Sequence, residues 1–229
     1  MKKISIQQII SQMNTTVGNL QIKTFRFNPI RVNTYVFYDD SKEAVIVDPG
    51  NVNHKESEKL LKFIEEEGLQ VKYILNTHPH IDHVAGNSFC KKNFDCQLVA
   101  HEEGMPIYSQ SKEYGANFGF TETEYPLPDY FVKDNDEIAF GHQRWKVIYT
   151  PGHADGSICF YDHEHKLVIV GDVLFEGGIG RTDLPTGDYN LLINNIRQKL
   201  LTLEDDVVVY CGHDVTTTIG EEKKNNPYL

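Results

Sequence analysis

The segment Thr77-His78-Pro79-His80-Ile81-Asp82-His83 places four potential metal ligands within six residues, directly behind the apolar run Val71 to Leu75. Such a run reads as a buried strand, so the ligands leave its carboxyl end on a loop. A His-x-His pair on extended backbone can aim both imidazoles at one ion, and the following turn brings Asp82 and His83 to a neighbouring position. Imidazole nitrogen and carboxylate oxygen suit zinc, and also iron or manganese. A chain carrying this loop must fold so that further ligands approach it. Three candidates share its placement: His153 after the strand Trp145 to Tyr149, Asp172 after Leu167 to Val170, and His213 after Val207 to Tyr210. Ligands at the ends of several strands are expected where a sheet-rich fold builds a site along one edge. Each of the three alone would read as an ordinary surface or core residue, and the repeated pattern is what singles them out. His163-Glu164-His165 lies in a polar turn and reads as a solvent-exposed hairpin; His54, His101 and His142 also sit in polar contexts.

The rest of the chain alternates short apolar runs with amphipathic stretches. Strands are predicted at Leu20 to Phe27, Thr34 to Tyr38, Ala44 to Val47, Gln97 to Ala100 and Ile158 to Tyr161. Helices are predicted at His54 to Glu67, Val84 to Phe94 and Tyr189 to Leu201. In the first, Leu60, Phe63 and Ile64 share a face and Gly68 supplies a stop. Residues 104 to 134 hold prolines, glycines and aromatics without a clear period, and read either as a lid or substrate wall or as a surface insertion. No Pro/Gly/Ser-rich linker divides the chain. The expectation is one α/β domain over residues 1–229, with two sheets face to face and helices outside, and residues 1–19 as a loosely attached extension.

Net charge bounds the partners. With 33 acidic and 22 basic side chains the formal charge is -11, which disfavours nucleic acid and anionic membrane surfaces. Gln7, Gln8, Ser11 and Gln12 interrupt what would be the apolar core of a signal peptide, and no apolar run approaches the roughly 20 residues of a membrane span. Cys90, Cys96, Cys159 and Cys211 form no C-x-x-C pair and read as buried thiols in a reducing compartment. A cytoplasmic location is therefore expected.

The order His78-x-His80-x-Asp82-His83, His153, Asp172, His213 resembles the metallo-β-lactamase superfamily, as does Asp48 in Val45-Ile46-Val47-Asp48-Pro49-Gly50. The resemblance runs from about Leu20 onward and implies a four-layer αββα sandwich of two mixed β-sheets. It implies that His78, His80 and His153 hold one metal, that Asp82, His83 and His213 hold a second, and that Asp172 bridges them. Asp48 would steady the metal loop from behind. Two divalent ions about 3.5–4 Å apart, most simply zinc, share a water and lower its pKa from about 15.7 toward about 7. The resulting hydroxide attacks a carbonyl, with Asp82 and Asp172 as the catalytic carboxylates. Ligands of this type, without a thiolate, suit an open catalytic site rather than a closed structural one.

Leu174-Phe175-Glu176-Gly177-Gly178-Ile179-Gly180-Arg181-Thr182-Asp183-Leu184-Pro185 is similar to a segment of glyoxalase II-like thioester hydrolases, as are Thr217 to Lys223 and Asn226 to Leu229. This implies hydrolysis of a small glutathione thioester such as S-lactoylglutathione, whose thiolate leaves readily near neutral pH. Arg181 then reads as a binder of a substrate carboxylate or as the partner of Asp183 or Asp188. Two departures matter. Sixteen residues follow His213, without the helical domain by which full-length glyoxalase II grips glutathione. Asp214-Val215 stand where short relatives usually have Gly-Pro, and a His-Asp pair there also resembles persulfide dioxygenases. Those would hold one iron with His78, His153 and Asp172. Lactonase-like hydrolysis is a third reading, and Asp172, where many β-lactamases have Cys, argues against an antibiotic substrate.

Overall fold

A computed structural model describes residues 14–117, 119–120 and 124–229. Of the stretch expected to be a loose extension, residues 1–13 lie outside these, as does Phe118. Two large sheets carry the architecture. The first has seven strands in chain order: β1 (Asn14–Val17), β2 (Leu20–Phe27), β3 (Val32–Tyr38), β4 (Glu43–Val47), β5 (Gln70–Leu75), β6 (Gln97–Ala100) and β7 (Tyr130–Phe131). The antiparallel meander β1 to β4 passes into parallel pairing from β4 through β7. The second sheet uses β8 (Glu137–Phe140), β9 (Gln143–Tyr149), β10 (Ile158–Asp162), β11 (Leu167–Gly171), β14 (Val208–Cys211) and β15 (Thr217–Thr218), in spatial order 15-14-11-10-9-8. Between β11 and β14 in the chain, β12 (Leu174–Phe175) and β13 (Gly178–Ile179) form a small separate hairpin.

Alternation along the strands sorts side chains into layers. In β3, Tyr35 and Phe37 face the second sheet while Val36 and Tyr38 face outward; in β4, Val45 and Val47 face in while Ala44 and Ile46 face out. Both faces are covered, so β3 reads as a nearly continuous apolar run, buried at all positions. Trp145 anchors the inter-sheet core, with its ring centroid 4.8 Å from Phe37 and 4.9 Å from Phe140, both edge-on. Each such pair adds about 0.5–1.5 kcal/mol beyond area burial. The outer face of the first sheet packs under α1 (His54–Glu66) through Leu60 and Ile64. That of the second packs under α6 (Tyr189–Asn195) and the π-turn Ile196–Leu200 through Leu192, Ile196 and Leu200. This is the four-layer αββα sandwich.

Several local expectations need correction. The predicted helix Val84 to Phe94 is two, α2 (Ile81–Val84) and α3 (Asn87–Asn93), divided at Ala85-Gly86. There the backbone meets the Pro49–Asn51 loop so closely that a Cβ on Gly86 would lie 2.1 Å from Asn51 Oδ1. The described part of 104–134, read as a lid, substrate wall or insertion, includes α4 (Met105–Tyr108), α5 (Ser111–Asn117) and β7, and Tyr108 and Phe120 pack against Ile81, Val84 and Ala85. This segment thus backs the loop that carries Asp82 and His83. Asn14–Val17 form an edge strand paired with β2. His165 is not a solvent-exposed hairpin residue: only 5% of its side chain is accessible. Its Nδ1 meets Asp162 Oδ2 at 2.8 Å and its Nε2 meets Asn19 Oδ1 at 2.8 Å, while Trp145 Nε1 donates to the same Asp162 oxygen. The turn holding His165 therefore ties the β1–β2 turn to the inter-sheet core. His163 beside it is exposed, and all four cysteines are buried and unpaired.

Behind the last large strand, α7 (Ile219–Asn225) starts at Thr218, whose hydroxyl accepts the Glu221 amide. Its Glu222 is buried, accepting from Thr217 Oγ1, from Asn226 Nδ2 at 2.7 Å and from the Gly177 amide at 3.0 Å. Asn226 donates to Gly178 O at 3.0 Å, so α7 fastens the β12–β13 hairpin from behind. Among the described residues no helix is long and apolar enough to cross a membrane.

Candidate metal centre

Strand ends at one rim of the sandwich bring the candidate residues together. β5 delivers Thr77, His78 and His80, and α2 follows at once with Asp82 and His83. From the second sheet, His153 follows β9, Asp172 follows β11 and His213 follows β14. His78, His80 and His153 form one group whose ligand atoms lie within 4.8 Å of one another; Asp82, His83 and His213 form another. His80 Nδ1 and His153 Nε2 are 2.9 Å apart, and His213 Nε2 is 3.2 Å from Asp82 Oδ2. Asp172 lies between the groups: Oδ1 is 3.3 Å from His83 Nε2, and Oδ2 is 3.7 Å from His153 Nε2 and 3.5 Å from His213 Nε2. All seven expected ligands thus converge from both sheets.

The outer atoms of these side chains are fixed by the surrounding structure. Asp48, at the end of β4, accepts the Thr77 amide at 2.8 Å on Oδ1. Its Oδ2 accepts Thr77 Oγ1 at 2.6 Å and His83 Nδ1–H at 2.8 Å. Because a carboxylate accepts, a proton sits on His83 Nδ1, which leaves Nε2 as the ring atom that faces the site. His153 Nδ1 donates to Arg181 O at 2.8 Å, which leaves Nε2 toward His80 and Asp172. The Arg181 side chain is exposed and forms a fork with Asp183, both bonds 2.8 Å, so the backbone of this residue is what touches the ligand set. Thr77 and Arg181 O were not legible as contributors. Gly212, directly before His213, admits no side chain: a Cβ there would lie 2.2 Å from Asp172 Oδ1 and 2.7 Å from His83 Cε1.

Charge states suit cation binding. Burial and the neighbouring imidazoles push His78 well below its ordinary pKa and bring His80 down to about 4. Burial also lowers His153, partly offset by Asp172. These three are therefore neutral near pH 7, with lone pairs available. For Asp172, burial is outweighed by His83, His213 and His153, which hold the carboxyl far below the usual carboxylate range; His83 and His213 likewise lower Asp82. His83 and His213 are raised, burial being outweighed by Asp82 and Asp172. A divalent ion would bind this second group in competition with protons. The residues fit such ions: His78 Nε2 and Asp172 Oδ1 are buried polar atoms without a hydrogen-bond partner, a costly state that a cation relieves.

Other ion-pair clusters lie apart. His142, Asp39 and Asp40 also approach one another, but Asp39 is consumed by hydrogen bonds from Ser41, Gln143 Nε2 and the His142 amide, and the other two are exposed. His101 stacks on Tyr149 at 4.2 Å, and His54 is exposed beside Glu58.

Comparison with known proteins identifies the family. The profile of the Metallo-beta-lactamase superfamily matches residues 28–213. "Hydroxyacylglutathione hydrolase GloC" of Haemophilus influenzae is 38% identical over 92% of this chain and 98% of its own. TTHA1623, solved in a di-iron-bound form, superposes with a TM-score of 0.81 at 32% identity, covering 90% of this chain and 99% of that one. BLEG-1, described as a B3 metallo-beta-lactamase, superposes with a TM-score of 0.79 at 33% identity, covering 91% and 99%. A profile match over most of the chain and a near full-length relative at this identity place the chain in the metallo-β-lactamase superfamily, a family of metal-dependent hydrolases with glyoxalase II-like members among its relatives.

Proposed function

We propose that this protein hydrolyses an S-acyl thioester of glutathione or a related small thiol, with His78, His80 and His153 holding one divalent cation, Asp82, His83 and His213 a second, and Asp172 both. The observation that supports it is the convergence of two complete ligand groups on one shared carboxylate. The likeness to a hydroxyacylglutathione hydrolase over nearly the whole chain supports the thioester as substrate. When bound, the two ions supply Lewis acidity to the acyl carbonyl and make a water acidic enough to react near neutral pH.

The chain's own residues then do the following. Asp82 accepts a hydrogen bond from the attacking water and aims it. Asp48 and Arg181 O keep His83 and His153 in the tautomers that present Nε2. The Thr77 amide and hydroxyl lock Asp48 in turn. The thiolate leaves without a dedicated acid, consistent with its low proton affinity relative to an alkoxide. Zinc suits both groups; iron and manganese suit them as well.

A second reading, oxidation of a persulfide at one iron, needs only His78, His153 and Asp172. The equally convergent Asp82, His83 and His213 group favours hydrolysis. One purified sample separates them. The expected result is two zinc-type ions per chain, cleavage of S-lactoylglutathione and no oxygen uptake with glutathione persulfide. One iron per chain with oxygen consumption and no thioester cleavage overturns the proposal, as would full activity of His80→Ala or Asp172→Ala.

A further inference from the structure

His213 reaches the site on a segment held from the opposite sheet. Asn33 and Tyr35 of β3 sit on the inner face of the first sheet, and Arg26 is the direct cross-strand partner of Asn33. The Asn33 amide donates to Gly212 O at 2.7 Å, and its side-chain nitrogen donates to Cys211 O at 3.0 Å and to Asp214 O at 3.2 Å. Tyr35 Oη donates to Cys211 O at 2.6 Å. Arg26 Nη2 donates to Asp214 O at 2.7 Å, while its Nε donates to Asn33 Oδ1 at 3.3 Å. Asp214 has φ 59°, a left-handed conformation that a residue other than glycine adopts at a cost. The donors on its carbonyl offset that cost.

We infer that Arg26 and Asn33 are positioning residues for the second cation: by clamping Cys211–Asp214 they set His213 against Asp82 and His83, and so decide whether the site holds one ion or two. The first group has separate supports. His153 is fixed by Arg181 O, and its segment by Asn195 Nδ2 on Pro151 O at 2.8 Å and the Asp188 amide on Gly152 O at 2.8 Å. None of these contacts involves Arg26 or Asn33. Loss of the clamp therefore falls on His213 and spares His78, His80 and His153. The inference rests on the proposed ligand assignment.

The test is zinc titration of the metal-free full chain against a chromophoric chelator, in wild type, Arg26→Ala and His213→Ala. In Arg26→Ala the first zinc binds as in wild type and the second binds about 10-fold more weakly, the low end of the effect of removing a ligand's own outer partner, because Arg26 acts on His213 through the Asp214 carbonyl. Arg26→Gln retains a group able to pair with Asn33 but is too short for Asp214 O, and shows the same selective loss should the alanine variant fail to fold. Two zinc ions bound with wild-type affinities, or an equal weakening of both, overturns the clamp. If His213→Ala still binds two zinc ions tightly, the ligand assignment itself fails. If His213→Ala binds one and Arg26→Ala binds two, only the clamp falls.

Discussion

Asp48→Asn is a nearly isosteric change that tests how the site is tuned. Asp48 Oδ1 accepts the buried Thr77 amide, so an asparagine there keeps its carbonyl oxygen toward that amide and turns its NH2 toward His83 Nδ1. Nδ1 then has to accept, which puts the imidazole proton on Nε2, the atom facing Asp82, Asp172 and His213. To bind a cation His83 must give up that new hydrogen bond. The cation-bound state also lacks the wild-type bond from His83 Nδ1–H to the Asp48 carboxylate, and loss of such a bond to a charged partner costs about 1.5–3 kcal/mol, or roughly 10–100-fold in affinity. Thr77 Oγ1 rotates to suit either partner, so the metal-free variant folds. The expected result is a normal far-ultraviolet spectrum, wild-type binding of the first ion, and second-ion binding weakened by that factor, with hydrolysis restored by excess metal. Binding of both ions at wild-type affinity would refute the reasoning, because His83 would then not depend on Asp48 for its tautomer.

Further predictions follow from contacts elsewhere. Gly212→Ala forces a Cβ to within 2.2 Å of Asp172 Oδ1 and 2.7 Å of His83 Cε1, so hydrolysis should fall steeply and the unfolding free energy by about 1–3 kcal/mol. Asp162→Ala strands the Trp145 indole N–H in the core and should cost about 1–3 kcal/mol in a urea titration followed by Trp145 fluorescence, the chain's only tryptophan. Burial raises the Asp39 carboxyl, but hydrogen bonds from Ser41, Gln143 and the His142 amide outweigh it and hold the group below its ordinary value. Its stabilising effect is therefore full above the unfolded-state pKa of about 3.9 and is lost as pH falls through the folded value. Asp39→Asn should flatten that acid limb, measured as unfolding free energy between about pH 5 and 2.

The residues of the candidate site were legible in the sequence, as was the fold class. Ligands announce themselves because imidazole and carboxylate directly after apolar runs have few other uses in repetition, and the loop from His78 to His83 carries four of them together. The longer strands were legible from their apolar content, β10 and β11 because they are buried along their whole length and β9 because its buried and exposed positions alternate, whereas β1, β7, β8 and β15 at the sheet edges were not. Short elements were not. β12 and β13 have two residues each, too few for any period, and they persist because Glu222 and Asn226 hold them. The break at Ala85-Gly86 comes from a loop distant in sequence, and His165 looked like surface because its partner Asn19, which covers the ring from the β1–β2 turn, is distant in sequence as well. Backbone contributors such as Arg181 O carry no side-chain signature at all.

The grip of α7 on the β12–β13 hairpin has a consequence for how damage propagates. The hairpin continues directly into Gly180 and Arg181, whose carbonyl steadies His153, and its Phe175 ring lies 6.4 Å from that of His213. A nick in the Thr217–Thr218 region would therefore be felt some distance away, as two imidazoles losing their bearings rather than as a frayed surface helix. Helix α7 works as a latch on one wall of the candidate metal centre, and its integrity should be readable in the affinity of the chain for added zinc.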